Sequence, residues 1–219
     1  QQIQAQLELA GRDFSYTRQT LSWNFYTDQQ NYYSLPYPSL RGVEQLENAS
    51  LALAILIKLR EQFPLSLAQI KAGLLQTTLI GRFQVLAGVP QIVLDTAHNP
   101  LVIDTMCENM LKLPFAKRNF ALFGVAKDKN WQEIIRKCNK NFDYWYIAPL
   151  NSERTEQPQL ITDYLISLGV SAKNIYQLPN IKSAFTQCYQ QLSSEDRLVC
   201  FGSFLVVEEA SHAIQEVRA

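Results

Sequence analysis

From Gly81 onward the chain alternates short apolar runs with segments of helix length, and this alternation limits its possible folds more than any other feature. The apolar runs cover residues 92–95, 120–125, 144–148, 175–178 and 198–201. Between and after them lie helix-length stretches at 101–112, 131–139, 159–168, 181–192 and 207–217. Strand and helix in alternation mark a parallel sheet flanked by helices. The expected fold is therefore α/β, a doubly wound and mostly parallel six-stranded sheet in which residues 83–87 add an edge strand. Right-handed crossovers suit such connections, and ligands of such sheets bind beyond the carboxyl ends of the strands. Functional residues are expected just after the strands.

The first third of the chain reads differently. Residues 13–38 are rich in aromatic and β-branched residues, with Phe14, Tyr16, Trp23, Phe25, Tyr32 and Tyr33 around a turn at 27–31, which predicts a β-hairpin or small meander. Aromatic packing on a sheet face is the default reading there, ahead of a base-binding platform. Residues 43–62 predict a helix, because Leu46, Ala49, Leu53, Leu56 and Leu59 return at helical spacing, and Pro64 stops it. A second helix is expected over 66–76, capped by Ser66 and buried through Leu67, Ile70 and Leu74. A boundary follows, giving expected domains 1–78 and 79–219.

Charge and composition exclude several classes of function. Lys plus Arg and Asp plus Glu both total 20, so the formal charges cancel and nothing attracts a polyanion over distance, which argues against nucleic acid. The longest apolar run, 51–57, is far shorter than the roughly 20 residues that span a bilayer. Residues 1–10 are polar and helix-prone, lack the pattern of a signal peptide and begin without methionine. Cys107, Cys138, Cys188 and Cys200 have no CxxC or His-partnered spacing, which points to reduced structural thiols in a cytoplasmic protein and to no metal ligands.

The chemistry concentrates in Gly81-Arg82-Phe83-Gln84 and, thirteen residues after the arginine, Asp95-Thr96-Ala97-His98-Asn99-Pro100. Asp95 ends an apolar strand and Asn99-Pro100 suits the entry to a helix. A carboxylate at that place either caps the helix or holds a ligand, and spacing alone leaves the two readings equal.

These two motifs resemble the C-terminal domain of the folylpolyglutamate synthase and Mur ligase superfamily. Three further stretches resemble its folate branch: Gln45-x-x-Asn48-Ala49, Phe123-Gly124-x-x-x-Asp128-Lys129 and Gly202-Ser203-Phe204. Residues 146–150, a tyrosine-containing strand ending in Ala-Pro-Leu, are similar to the bifunctional dihydrofolate synthase/folylpolyglutamate synthases of bacteria.

The resemblance implies a Rossmann-like domain of the Mur ligase C-terminal type, preceded by the tail of an ATPase domain. It implies an ATP-dependent ligase that joins L-glutamate to dihydropteroate or to a reduced folate through an acyl phosphate. By the same resemblance Asn48 meets the adenine, Arg82 the phosphates and Asp95 the ribose hydroxyls, while His98 and Ser203 lie near the glutamate or the acyl phosphate. Mg2+ is expected on the upstream ATPase half, and the family suggests a monomer. No glycine of this chain opens a GxxxxGK[ST] run, so the chain alone is expected to be inactive. Two other readings are a Mur-type peptidoglycan precursor ligase, which shares the nucleotide pattern, and a binding module that has lost the chemistry.

Overall fold

In the computed structural model, which describes residues 7–42 and 44–218, every apolar run of the second half is a strand of one sheet. The chain divides into two units, Gln1–Thr78 and Leu79–Ala219.

In the first unit, β1 (Phe14–Arg18), β2 (Trp23–Thr27) and β3 (Tyr32–Leu35) form an antiparallel meander, one strand more than a simple hairpin. Trp23 and Phe25, two residues apart on β2, point to one face, are fully buried and pack with Phe14 and Leu35. The helices α1 (Gln45–Lys58) and α2 (Leu67–Gln76) complete that core with Leu46, Leu53, Ile57 and Ile70. The aromatic residues at these positions therefore serve packing. Helix α1 is shorter than the expected 43–62, and Val43 lies outside the described residues. Pro64 disfavours helical geometry at Phe63, and the chain leaves α1 at Leu59 through turns that include Phe63 N–H to Leu59 O at 2.8 Å. Ser66 caps α2 in a capping box with Gln69. Of the helix-prone residues 1–10, the first six lie outside the described residues; Leu7–Leu9 carry no regular structure, and Ala10 makes an isolated bridge to Phe14.

The second unit contains β4 (Gln84–Leu86), β5 (Gln91–Leu94), β6 (Asn119–Phe123), β7 (Tyr144–Ile147), β8 (Ile175–Gln177) and β9 (Arg197–Phe201), in the order β4-β5-β9-β6-β7-β8. All pairings are parallel except that of β4 with β5. Alternating strand residues feed two cores. Val93, Ala121, Phe123, Trp145, Ile147, Val199 and Phe201 pack on α3 (Pro100–Leu111), α4 (Trp131–Cys138) and α5 (Pro158–Ser167). Ile92, Leu94, Phe120, Leu122, Tyr146, Leu198 and Cys200 pack on α6 (Ile181–Gln191) and α7 (Phe204–Arg218). Each fully buried Phe or Leu stabilises the fold by ~1.5–3 kcal/mol, which makes the register of the central strands hard to shift.

The winding creates the site. From β5 the chain passes through α3 and skips one place to β6, goes on to β7 and β8, then returns through α6 on the other face to fill the gap with β9. Helices α3 and α7 thus leave neighbouring strands β5 and β9 toward opposite faces, which opens a crevice at their carboxyl ends. Helix α7 starts at Phe204, three residues before the expected 207, because Ser203 caps it.

Candidate functional site

Asp95 follows β5 directly, and its N–H donates to Cys200 O at 3.0 Å, so β9 fixes the strand end. Its carboxylate is buried. Oδ1 accepts the Ala97 N–H at 2.9 Å, and Oδ2 has no partner among the described residues. Burial pushes the Asp95 carboxyl up to about 7, against smaller opposing effects of the Ala97 N–H and of Arg82. Helix α3 is capped by a different side chain: Asn99 Oδ1 accepts from Leu101 N at 3.1 Å and Val102 N at 3.0 Å. Asp95 is therefore not the helix cap, and half of its acceptor capacity faces no protein donor.

The Gly81 turn is sewn to the same strand end. Thr96 N–H donates to Gly81 O at 2.8 Å. Gly81 has φ +73°, and a Cβ there would stand 2.7 Å from Thr96 Cγ2, so close approach and backbone conformation both call for glycine. Phe83 is buried and anchors the turn, while Arg82 stays exposed beside Asp95.

On the far side of the Asp95 loop lies a cavity of about 260 Å³, whose walls include His98, Lys129, Arg154 and Ser203. His98 Nδ1 lies 2.8 Å from Thr96 O; a neutral ring donates there and keeps Nε2 as an acceptor. The ring tilts against Phe204, with centroids 6.4 Å apart. Ser203 Oγ accepts the Leu205 N–H at 3.2 Å and caps α7, which leaves its own O–H free to donate. Gly202 (φ +106°) packs so tightly that a Cβ would meet Gly124 O and stand 2.7 Å from the Phe123 ring. The loops after β6 and β9 are thus in backbone contact.

Asp128-Lys129 follows β6, and Asp95 and His98 follow β5. Both strands run parallel to β9, so the two turns share one edge of the sheet. Arg154, on the loop after β7, binds Asp128 at 2.7 Å and holds its carboxylate below the usual range. The sequence motifs did not single out Arg154, although its place after a parallel strand is the signal that flags the others. Asn48 belongs to the first unit. It donates to Gln45 Oε1 at 3.4 Å and borders an apolar cavity of about 290 Å³ between α1 and α2.

Among the described residues no group of three His, Cys, Asp or Glu could hold a metal ion. No described helix is long and apolar enough to cross a membrane. The four cysteines are free thiols, three of them buried, and His212 is exposed on α7.

A doubly wound sheet with a carboxylate, an arginine turn and a cation-lined cavity at its crevice has the architecture in which ligands bind beyond the strand ends. Residues 81–204 match the family described as Mur ligase, glutamate ligase domain, and the chain belongs to that family. It is 28% identical over 198 residues to a dihydrofolate synthase/folylpolyglutamate synthase of Buchnera aphidicola subsp. Schizaphis graminum, covering 90% of this chain and 45% of the relative. It is 26% identical to the Escherichia coli K12 protein of the same description, covering 98% and 48%. Among solved structures, E. coli FolC in complex with ADP superposes with a TM-score of 0.81 at 25% identity, covering 95% of this chain and 48% of that one. A bifunctional folylpolyglutamate synthase/dihydrofolate synthase with Mn, AMPPNP and L-glutamate bound gives 0.78 at 25% identity, covering 98% and 48%. The chain thus spans about half the length of the relatives it matches.

Proposed function

We propose that this chain is the C-terminal part of an ATP-dependent carbon–nitrogen ligase of the folate pathway. The whole protein would add L-glutamate to dihydropteroate, to the glutamate tail of a reduced folate, or to both. The observation that carries the reading is Asp95: a buried carboxylate with one oxygen unpartnered, at the crevice of a doubly wound sheet, beside an exposed arginine on a tight turn. Oδ2 has no protein donor among the described residues, and a ligand hydroxyl would supply one. Relatives solved with ADP, and with Mn, AMPPNP and L-glutamate, support the same ligands here.

In this reading residues 1–78 are the tail of the ATPase domain and residues 79–219 the glutamate ligase domain. ATP supplies the phosphoryl group that activates the carboxylate, with Mg2+ held by the upstream half. Asp95 accepts hydrogen bonds from the ribose hydroxyls, and Arg82 offers its planar fork to phosphate oxygens. Asn48 presents a donor and an acceptor to the adenine edge. His98 Nε2 and the Ser203 hydroxyl face the cavity in which the amine of glutamate meets the activated carboxyl, where they orient the amine and receive or donate its proton. The protein is expected to be monomeric and cytoplasmic.

The test is glutamate incorporation by the whole protein with dihydropteroate and with a reduced folate as alternative acceptors. ATP- and glutamate-dependent release of phosphate with at least one acceptor is the expected result. A protein that binds nucleotide yet joins glutamate to neither acceptor would be the binding module instead. This chain by itself should show no turnover, since it carries no phosphate-binding glycine loop.

A further inference from the structure

Arg82 stands on a turn whose backbone does not hold its shape unaided. The arginine is exposed, and the residues on either side of it both have positive φ, +73° at Gly81 and +43° at Phe83. Glycine enters the left-handed region at no steric cost, whereas a bulky residue there is strained and persists only where its surroundings fix it. The Phe83 side chain is fixed by burial in the core beneath α3.

The main-chain groups of Gly81 are fixed by the strands beside it. Its carbonyl accepts the Thr96 N–H at 2.8 Å, from the chain just past β5. Its N–H has a partner of another kind, the side chain of Gln84, whose Oε1 accepts it at 3.3 Å. Gln84 is the first residue of β4 and pairs with Leu94, the last of β5, so its own backbone belongs to the sheet. Asp95 follows Leu94 directly. One glutamine therefore ties the arginine turn to the strand end that carries the carboxylate. Arg82 is near enough to Asp95 to favour the charged form of that carboxylate.

We propose that Gln84 is the positioning residue of the nucleotide edge: by accepting the Gly81 N–H it holds the strained turn and so sets where the Arg82 guanidinium stands relative to Asp95. It acts through Gly81 and Arg82 and not on the substrate. This rests on the reading above, in which Arg82 meets the phosphates and Asp95 the ribose of one ATP, and it adds the residue that keeps the two contacts in register. Without an acceptor at position 84 the Gly81 amide loses its partner and the turn relaxes, and misplacing a binding group by even about 1 Å is enough to cost rate.

The experiment is steady-state kinetics of the whole protein carrying Gln84→Met, Gln84→Glu, Arg82→Ala, or Arg82→Ala together with Gln84→Met. Methionine keeps the length of the side chain and loses the acceptor, while glutamate keeps an oxygen for the Gly81 N–H. A neutral hydrogen bond is worth about 2- to 12-fold in a constant. Gln84→Met should lower kcat/KM for ATP by that factor, through whichever constant Arg82→Ala changes, and leave the KM for glutamate within about 1.5-fold. Gln84→Glu should stay within about 1.5-fold of the parent in every constant. In the Arg82→Ala background Gln84→Met should cost nothing further, because residues that act through one another are not additive. An equal loss from Gln84→Met with and without Arg82, or a loss that Gln84→Glu shares, makes Gln84 a support of the sheet and overturns the proposal. Unchanged kinetics for Gln84→Met overturn it as well. If Arg82→Ala itself changes neither kcat nor the KM for ATP, it is the phosphate reading of Arg82 that fails, and the proposal fails with it.

Discussion

The two ends of the parallel sheet bury charge in opposite ways. At the amino end, Asp196 is buried and receives Arg118 in two contacts, at 3.0 and 2.6 Å, together with the Ser193 N–H and hydroxyl. Arg118 lies over the Phe120 and Tyr144 rings, and buried Arg197 donates to Gln91, Asn119 and the Pro114 carbonyl. Burial alone would push the Asp196 carboxyl up, but its four donors outweigh burial and bring it down to about 2. At the carboxyl end, Asp95 has one backbone donor, and burial takes it to about 7. Two buried carboxylates differ by what surrounds them. One is a finished clamp and the other is short of protein partners, the contrast expected between a structural charge and a ligand-binding charge.

Breaking the clamp should destabilise the fold. Asp196→Ala removes a buried acceptor from Arg118 and Ser193, both of which reach solvent, and should cost roughly 1.5–3 kcal/mol in urea unfolding, the size of a charge-assisted hydrogen bond. A loss below about 1 kcal/mol, the size of an exposed pair, would erase the contrast between the two ends.

Asp95→Asn should act in the other direction. A carboxyl whose folded pKa lies above its unfolded value binds its proton more tightly when folded, so it subtracts stability as pH rises from about 4 to about 7. The penalty is fully present above pH 7 and reaches about 4 kcal/mol at most, at 1.36 kcal/mol per unit. Asp95→Asn should therefore unfold later than the parent at pH 8 and lose that advantage near pH 4. Asp196 has the opposite sign: its depressed pKa gives stability above pH 4 that disappears as pH falls through about 2. Unfolding curves of both variants across pH 2–8 would separate the two windows. Parallel pH slopes would contradict the assignment.

Smaller again is the division of labour at the ligand edge. Arg82 would face phosphate oxygens whose charge redistributes during phosphoryl transfer, so Arg82→Ala in the whole protein should mainly lower kcat, by roughly 10- to 150-fold. An unchanged kcat with a raised KM for ATP would make Arg82 a ground-state contact only.

Much of this was legible in the sequence because strands buried on both faces are written as continuous apolar runs. All six strands of the second unit lie within one residue of the expected ends, apart from Val125, where the loop after β6 has already begun. Asp95, His98 and Ser203 were legible because they follow strands directly. What sequence left open was the role of Asp95, since capping and ligand binding put the same residue in the same place. Only the Asn99 side chain on the α3 amides removes capping from Asp95. Arg154 was not legible, because its partner Asp128 lies 26 residues away in the chain. The clamp of Arg118 with Asp196 was hidden for the same reason, as its partners are 78 residues apart.

The central claim is that the unpartnered oxygen of Asp95 awaits a ribose hydroxyl. The most direct measurement compares ATP with 2′,3′-dideoxy-ATP as substrates of the whole protein and of Asp95→Asn, at fixed glutamate and acceptor. Removing the hydroxyls should raise the parent's KM by roughly 10- to 150-fold with kcat nearly unchanged, because the ribose does not change in phosphoryl transfer. Asp95→Asn should show the raised KM with ATP already and gain at most about threefold more on losing the hydroxyls, well inside that range. If Asp95→Asn discriminates between the two nucleotides as strongly as the parent does, Asp95 does not hold the ribose, and the ligand edge has been assigned to the wrong group.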